Sequence, residues 1–234
     1  MVVFIKDMNL KNRTYCFFLH PNIEPSNDKI KNKVFFLLSY LIKLFFYSFF
    51  ITIPFTLIGI GIKNFFDLNN LDYSINIDSL INDFGPYYWL FLLFLGPLIE
   101  ELIFRLPIII TKKNILIASL IETVYCVVCY IRQDTIVLLI PFLVLFLVSI
   151  CSLYQKNISP KYFLWTSIFI FSSLHIFNYN NVEMGDIALY FICVMPRMLI
   201  LATGISFIRC YLGFWYGFLF HCLYNSIVFL FMLI

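Results

Sequence analysis

Three ionisable groups, Glu100, Glu101 and Arg105, stand together in a stretch that is otherwise apolar from Tyr87 to Ile110. A charge at mid-bilayer costs about 3 kcal/mol on the mildest scale, so an ionisable residue in such a stretch marks a functional site by default. On a helix, Glu101 and Arg105 lie i,i+4 with the acid first, the favourable order for an ion pair. Glu100 is rotated about 100° around the axis, so that pairing leaves it free for chemistry. Further along, His175, His221 and Asn225 are also polar residues inside apolar runs. His221 and Asn225 are i,i+4 and share one helix face.

The chemistry such a set supports is activation of water. A carboxylate in a low-dielectric site holds its proton more tightly than one in water, which suits a general base near neutral pH. His175 can share the water or pass a proton to a leaving amine. His221 and Asn225 can donate to the oxyanion of a tetrahedral intermediate. The same residue types also ligate zinc: Glu100, His175 and His221 can hold the ion with water in its open position. Residue types and spacing do not separate the two mechanisms.

Each feature has a plainer explanation when taken alone. A single histidine in a membrane helix commonly hydrogen-bonds a neighbouring helix, and Glu101 with Arg105 makes a structural pair. Matching depth argues for one shared site. At 1.5 Å per residue, Glu100 and His221 each fall about 15 Å, and His175 about 20 Å, from the cytoplasmic ends of their segments. Glu122 and Arg197 have no helical partner at i±4. They are expected to be structural, with Glu122 as the interhelical partner of Arg197.

The elements that position these residues follow from composition. Of the 234 residues, 62% are hydrophobic and 12% charged, against about 25% charged in soluble domains. The expectation is an all-α, polytopic integral membrane protein with its polar site inside the helical bundle. Apolar runs at 34–62, 86–110, 115–131, 136–153, 162–177, 187–208 and 212–234 imply about seven transmembrane helices. Gly96-Pro97 should kink or break the second helix just before Glu100.

Three regions result: a basic N-terminal tail at 1–33, a first span with a polar loop at 34–84, and a core at 85–234. The polar stretch 63–85 has room for a short surface helix. The basic residues Lys6, Lys11, Arg13, Lys29, Lys31 and Lys33 precede the first span. They read as a cytoplasmic membrane flank rather than a nucleic-acid site. Lys112, Lys113, Lys156, Lys161 and Arg209 mark alternate connections, while the loops at 63–85 and 178–186 carry acids; Arg132 with Asp134 is ambiguous. Seven spans with the N-terminus inside satisfy that alternation, in a cytoplasmic membrane. The start lacks the short apolar region and cleavage site of a signal peptide. Most of the seven cysteines fall in apolar runs and read as small hydrophobes. The Cys126-Val-Val-Cys129 spacing lacks the βαβ setting of a redox motif.

At its polar residues the chain resembles the intramembrane CAAX-processing and bacteriocin-processing proteases, the CPBP (or Abi) family, which includes prenyl-protein endopeptidases. That family carries Glu-Glu-x-x-x-Arg, then Phe-x-x-x-His, then His-x-x-x-Asn. Here these stand as Glu100-Glu101-Leu-Ile-Phe-Arg105, Phe171-Ser-Ser-Leu-His175 and His221-Cys-Leu-Tyr-Asn225, in that order on separate apolar runs. The resemblance covers about residues 85–225 and leaves the first span outside it.

The resemblance implies an intramembrane endopeptidase acting on a membrane-associated peptide or protein, of CAAX or bacteriocin-leader type. It implies that Glu100 activates water, that His175 assists, and that Glu101 and Arg105 hold the site. His221 and Asn225 would form the oxyanion pocket or contribute to a zinc site. Two rivals stand beside it. One is a non-enzymatic immunity or scaffold protein that binds a peptide or partner in the bilayer. The other is a proton-coupled transporter, against which stands the lack of repeated halves.

Overall fold

The structure, a computed structural model, describes residue 17 and residues 26–65, 85–131, 139–154, 160–178 and 184–232. Among them there are helices and no strand. The loop at 66–84, Arg132 with Asp134, Lys156, residues 179–183 and the basic residues before position 17 lie outside the described residues.

The first helix, α1 (Ile30–Phe65), follows a short turn in which the Ser26 hydroxyl accepts from the Asp28 amide at 3.2 Å. Its 36 residues measure about 54 Å at 1.5 Å each, more than a hydrocarbon core of about 30 Å. Leu37, Tyr40, Leu41, Leu44 and Ser48 form its buried stripe, while Phe35, Ile42, Phe46, Phe49, Phe50 and Leu57 point outward. A helix apolar on both faces fits a solvent of lipid rather than water.

The second, composite helix, α2, changes pitch along its length. It begins as a 3-10 turn (Gly85–Tyr87) and an α turn (Tyr88–Leu90), then widens to a π-turn (Phe91–Leu95). An α stretch (Gly96–Glu100), a second π-turn (Glu101–Arg105) and a 3-10 turn (Leu106–Ile108) complete it. The others are α3 (Lys112–Ile131), α4 (Leu139–Tyr154), α5 (Pro160–Leu174) with a 3-10 turn (His175–Asn178), α6 (Met184–Cys193), α7 (Met195–Leu212) and α8 (Phe214–Met232). Three of these are long and apolar enough to cross a membrane: Ile30–Ile62, Met195–Leu212 and Phe214–Phe231.

The apolar run at 187–208 is not one helix. It is divided at Val194, between α6 and α7. Pro196 has no N–H to give back to the preceding turn, so a new helix starts there with the proline in its first turn. α7 is the centre of the bundle and packs against α1, α5, α6 and α8. Every residue from Leu201 to Leu212 is buried. Arg209, expected in a connection, sits in the last turn of α7 and is buried as well.

Two glycines let the helices come together at this centre. A Cβ at Gly204 of α7 would lie 2.7 Å from Leu44 Cδ2 of α1, closer than carbon atoms approach. Gly213 joins α7 to α8 with φ +111°, a backbone that side chains resist. The N-terminal tail also reaches α7. The Ser26 amide donates to Tyr211 O at 2.7 Å, and Phe17 is buried edge-on to Phe207, their rings 5.6 Å apart.

A substitution pair tests this packing. Gly204→Val should lower the thermal unfolding temperature of the purified protein, as overpacking costs about 1–3 kcal/mol. Gly61→Val, where a Cβ meets open space, should leave it unchanged. Equal effects at the two positions would mean that α1 does not pack on α7 through Gly204.

Candidate active site

α2 carries both glutamates into the bundle without the break expected at Gly96-Pro97. The reason lies in the turn before it. The Gly96 N–H donates to Phe91 O, five residues back, so the hydrogen-bond ladder has already slipped by one residue when it reaches the proline. Pro97 then occupies the first turn of a new α stretch, where a missing N–H is tolerated. The device repeats one segment later. The Leu106 N–H donates to Glu101 O, again five residues back, and Pro107 follows in the next turn. Between these two slips stand Glu100 and Glu101.

α8 brings His221 against both carboxylates. Nδ1 lies 3.0 Å from Glu101 Oε1, and Nε2 lies 3.5 Å from Glu100 Oε2. One imidazole is therefore held between two adjacent acids. An ionised carboxylate can only accept, so Nδ1–H donates to Glu101, and this contact sets the tautomer and aims Nε2 at Glu100. The two glutamates differ in access. Glu101, Arg105 and His221 are at most 1% exposed, whereas the Glu100 side chain is 32% exposed. Of these residues, Glu100 is therefore the one that reaches the surface of the bundle.

The expected pair of Glu101 and Arg105 is present but loose, with Arg105 Nε 3.7 Å from Glu101 Oε1. Five-residue bonding widens the turn, so position i+4 no longer stands squarely over position i. The guanidinium lies instead on the face of Phe171, 3.6 Å from the ring centroid, where a desolvated cation is worth about 2 kcal/mol. Arg105 Nη1 and Nη2 and Glu101 Oε2 are buried without hydrogen-bond partners.

Phe171 is the residue that reasoning from charge and polarity missed. Its ring also meets His175 at 4.3 Å, His221 at 6.0 Å and Phe104 at 5.5 Å between centroids. The available signal was its i−4 spacing from His175, which puts the two on one helix face. α5 positions both, and Ser167 fastens α5 to α2 by donating to Phe104 O at 2.5 Å. His175 opens the 3-10 turn after α5, and its Nδ1–H donates to Phe171 O at 2.8 Å, so among the described residues Nε2 is the nitrogen left for another partner. It is near enough to Glu100 and His221 for their charges to interact.

Asn225, one turn beyond His221, does not join the carboxylates; its Nδ2 donates to Leu92 O of α2 at 3.3 Å. Glu122 is buried on α3 with Oε1 unbonded, and among the described residues it makes no ion pair with Arg197. The expected interhelical partnership is not seen among the described residues.

Zinc does not fit this arrangement. Among the described residues, no three His, Cys, Asp or Glu side chains converge on one point. His221 Nδ1 is taken by Glu101 and His175 Nδ1 by Phe171 O, so each ring could meet a ligand only through Nε2. Compared with protein-family models, with curated proteins and with solved structures, the chain matches none.

The buried charges can be tested through stability. Arg105→Met should destabilise the protein by about 3–5 kcal/mol, because Glu101 is left without a counter-charge. Adding Glu101→Gln should recover part of that loss. A double variant as unstable as the sum of the two singles, measured by thermal unfolding, would show that the charges do not depend on each other.

Proposed function

We propose that this chain is an intramembrane endopeptidase that hydrolyses a peptide bond in a membrane-associated peptide or protein. The observation that carries the reading is the imidazole of His221 between Glu100 and Glu101, with only Glu100 accessible. A carboxylate within reach of solvent, backed by a histidine of fixed tautomer, is a base with somewhere to send its proton. The resemblance to the CPBP proteases points the same way. It assigns water activation to the same Glu100.

Glu100 takes a proton from water as the water oxygen bonds to the scissile carbonyl carbon, and a tetrahedral intermediate forms. The proton is shared with His221 Nε2, whose positive charge then lies between two carboxylates. It passes to the amide nitrogen, directly or through Nε2 of His175. The C–N bond breaks, leaving a new carboxyl and a new amine. Glu101 acts through His221, orienting the ring and balancing its charge, and Arg105 in turn pairs with Glu101.

The membrane topology belongs to the same proposal. The chain crosses a cytoplasmic membrane about seven times with its N-terminus inside, and α6 and α7 together make the sixth crossing. The contact of Ser26 with Tyr211 supports this, since it brings Lys29, Lys31 and Lys33 to the end of α7 that carries Arg209. These cations gather on one side, as the positive-inside rule requires.

The test is cleavage of a panel of membrane-associated peptides, including prenylated CAAX peptides and leader-bearing bacteriocin precursors. Purified wild type and Glu100→Gln would run in parallel, with and without a chelator. Wild type should cleave at least one peptide in every lane. Glu100→Gln should lose about 10²–10⁴-fold in rate, the usual contribution of a general base, while unfolding at the same temperature. Full activity in Glu100→Gln would end the proposal. Loss of wild-type cleavage with chelator would return the metal mechanism. A cellular phenotype kept by Glu100→Gln would favour a peptide-binding immunity or scaffold protein.

A further inference from the structure

The hydrogen-bond pattern of α2 implies that the carbonyl of Leu92 lacks a backbone donor. Within the first π-turn of α2 the Gly96 N–H is committed to Phe91 O. In the same pattern Leu92 O would be served by the amide of residue 97, and Pro97 has none. A carbonyl turned into a helical bundle without a donor destabilises the segment that carries it. The missing donor comes from another helix: Asn225 Nδ2 of α8 bonds Leu92 O at 3.3 Å.

α8 meets α2 at three points along one stripe, spaced by four residues. The Phe229 ring stands edge-on to Tyr88 at 6.3 Å, Asn225 holds Leu92, and His221 holds Glu100 and Glu101. Asn225 and His221 therefore grip α2 on opposite sides of Pro97. The stretch between them, Gly96–Glu100, delivers the accessible glutamate.

We propose that Asn225 is a positioning residue for Glu100: its amide replaces the hydrogen bond that Pro97 removes and fixes the wide turn that precedes the stretch carrying Glu100. The consequence for rate rests on the peptidase reading, and the consequence for α2 rests on hydrogen bonding alone. The role differs from an oxyanion donor, which would act on substrate whatever residue stood at 97. In this arrangement position 97 decides whether the Asn225 amide is needed. An alanine there would supply its own N–H to Leu92 O.

The experiment is a rescue, with full-length protein in detergent. Asn225→Leu, which keeps bulk and removes the donor, Pro97→Ala and the double variant would be compared. Pro54→Ala in α1, also a proline within a helix, controls for a general gain from losing a proline. One readout is hydrogen–deuterium exchange of residues 92–101, which needs no substrate. The other is kcat and KM on the cleaved peptide.

Asn225→Leu should speed exchange about tenfold, the size one hydrogen bond supports. It should lower kcat about ten- to a hundredfold through displacement of Glu100, with KM little changed. Pro97→Ala should restore both readouts in the Asn225→Leu background, and Pro54→Ala should restore neither. Unchanged exchange in Asn225→Leu, or a loss of kcat that Pro97→Ala does not recover, would overturn the positioning role and leave the peptidase standing. Protection from exchange that is lost and rescued in a protein that cleaves nothing would uphold the positioning role while the peptidase reading failed.

Discussion

The structure is governed by the cost of holding charge away from water. Glu101 and Arg105 are buried in an apolar bundle, and neither can stay ionised there alone. The fold answers with partners from three helices. α2 supplies the two opposite charges, α8 supplies an imidazole that donates to Glu101, and α5 supplies the ring face on which the guanidinium rests. Each partner needs its helix at a set distance and rotation. The electrostatic demand of a few atoms thus fixes how α2, α5 and α8 pack, and the central α7 with its close approach at Gly204 serves as the frame.

The helical class was legible in the long continuous apolar runs, because a bilayer admits helices or closed barrels and barrel strands would alternate apolar with polar residues. Among the described residues, each apolar run is mostly helix. The ends differ where proline decides them: Pro196 divides the run at 187–208, while Pro97 and Pro107 do not interrupt theirs. The difference is local. Pro97 and Pro107 each follow a π-turn that has already shifted the ladder, and a π-turn is a choice made by packing, with no residue type that announces it. The same choice explains why Glu101 and Arg105, spaced for an ion pair, are 3.7 Å apart.

The site was legible as a set of residues but not as a set of contacts. Polarity inside apolar runs picked out Glu100, Glu101, Arg105, His175 and His221, and the structure gathers them around Phe171 and His221. It did not foretell that His221 bridges adjacent carboxylates, or that Asn225 turns to a backbone carbonyl, since both depend on rotation between helices far apart in sequence. Glu122 shows the same limit. It reads from sequence as structural with Arg197 as its partner, and it is buried with Oε1 unbonded and no charged partner among the described residues.

Adjacent glutamates raise the question of why a site should need both. On a regular helix they diverge by about 100° and serve different neighbours. Here α2 passes from α to π between them, and one imidazole spans the two. The inner carboxylate is sealed and fixes the ring; the outer one is exposed and faces the ring's second nitrogen. A single glutamate could orient the histidine or meet a reactant. It could not do both, because orientation requires burial and reaction requires access. Two consecutive residues resolve that conflict only if the backbone holds both side chains toward α8. If the proposed peptidase reading holds, the wide turns of α2 let one helix present a structural acid and a reactive acid to the same histidine.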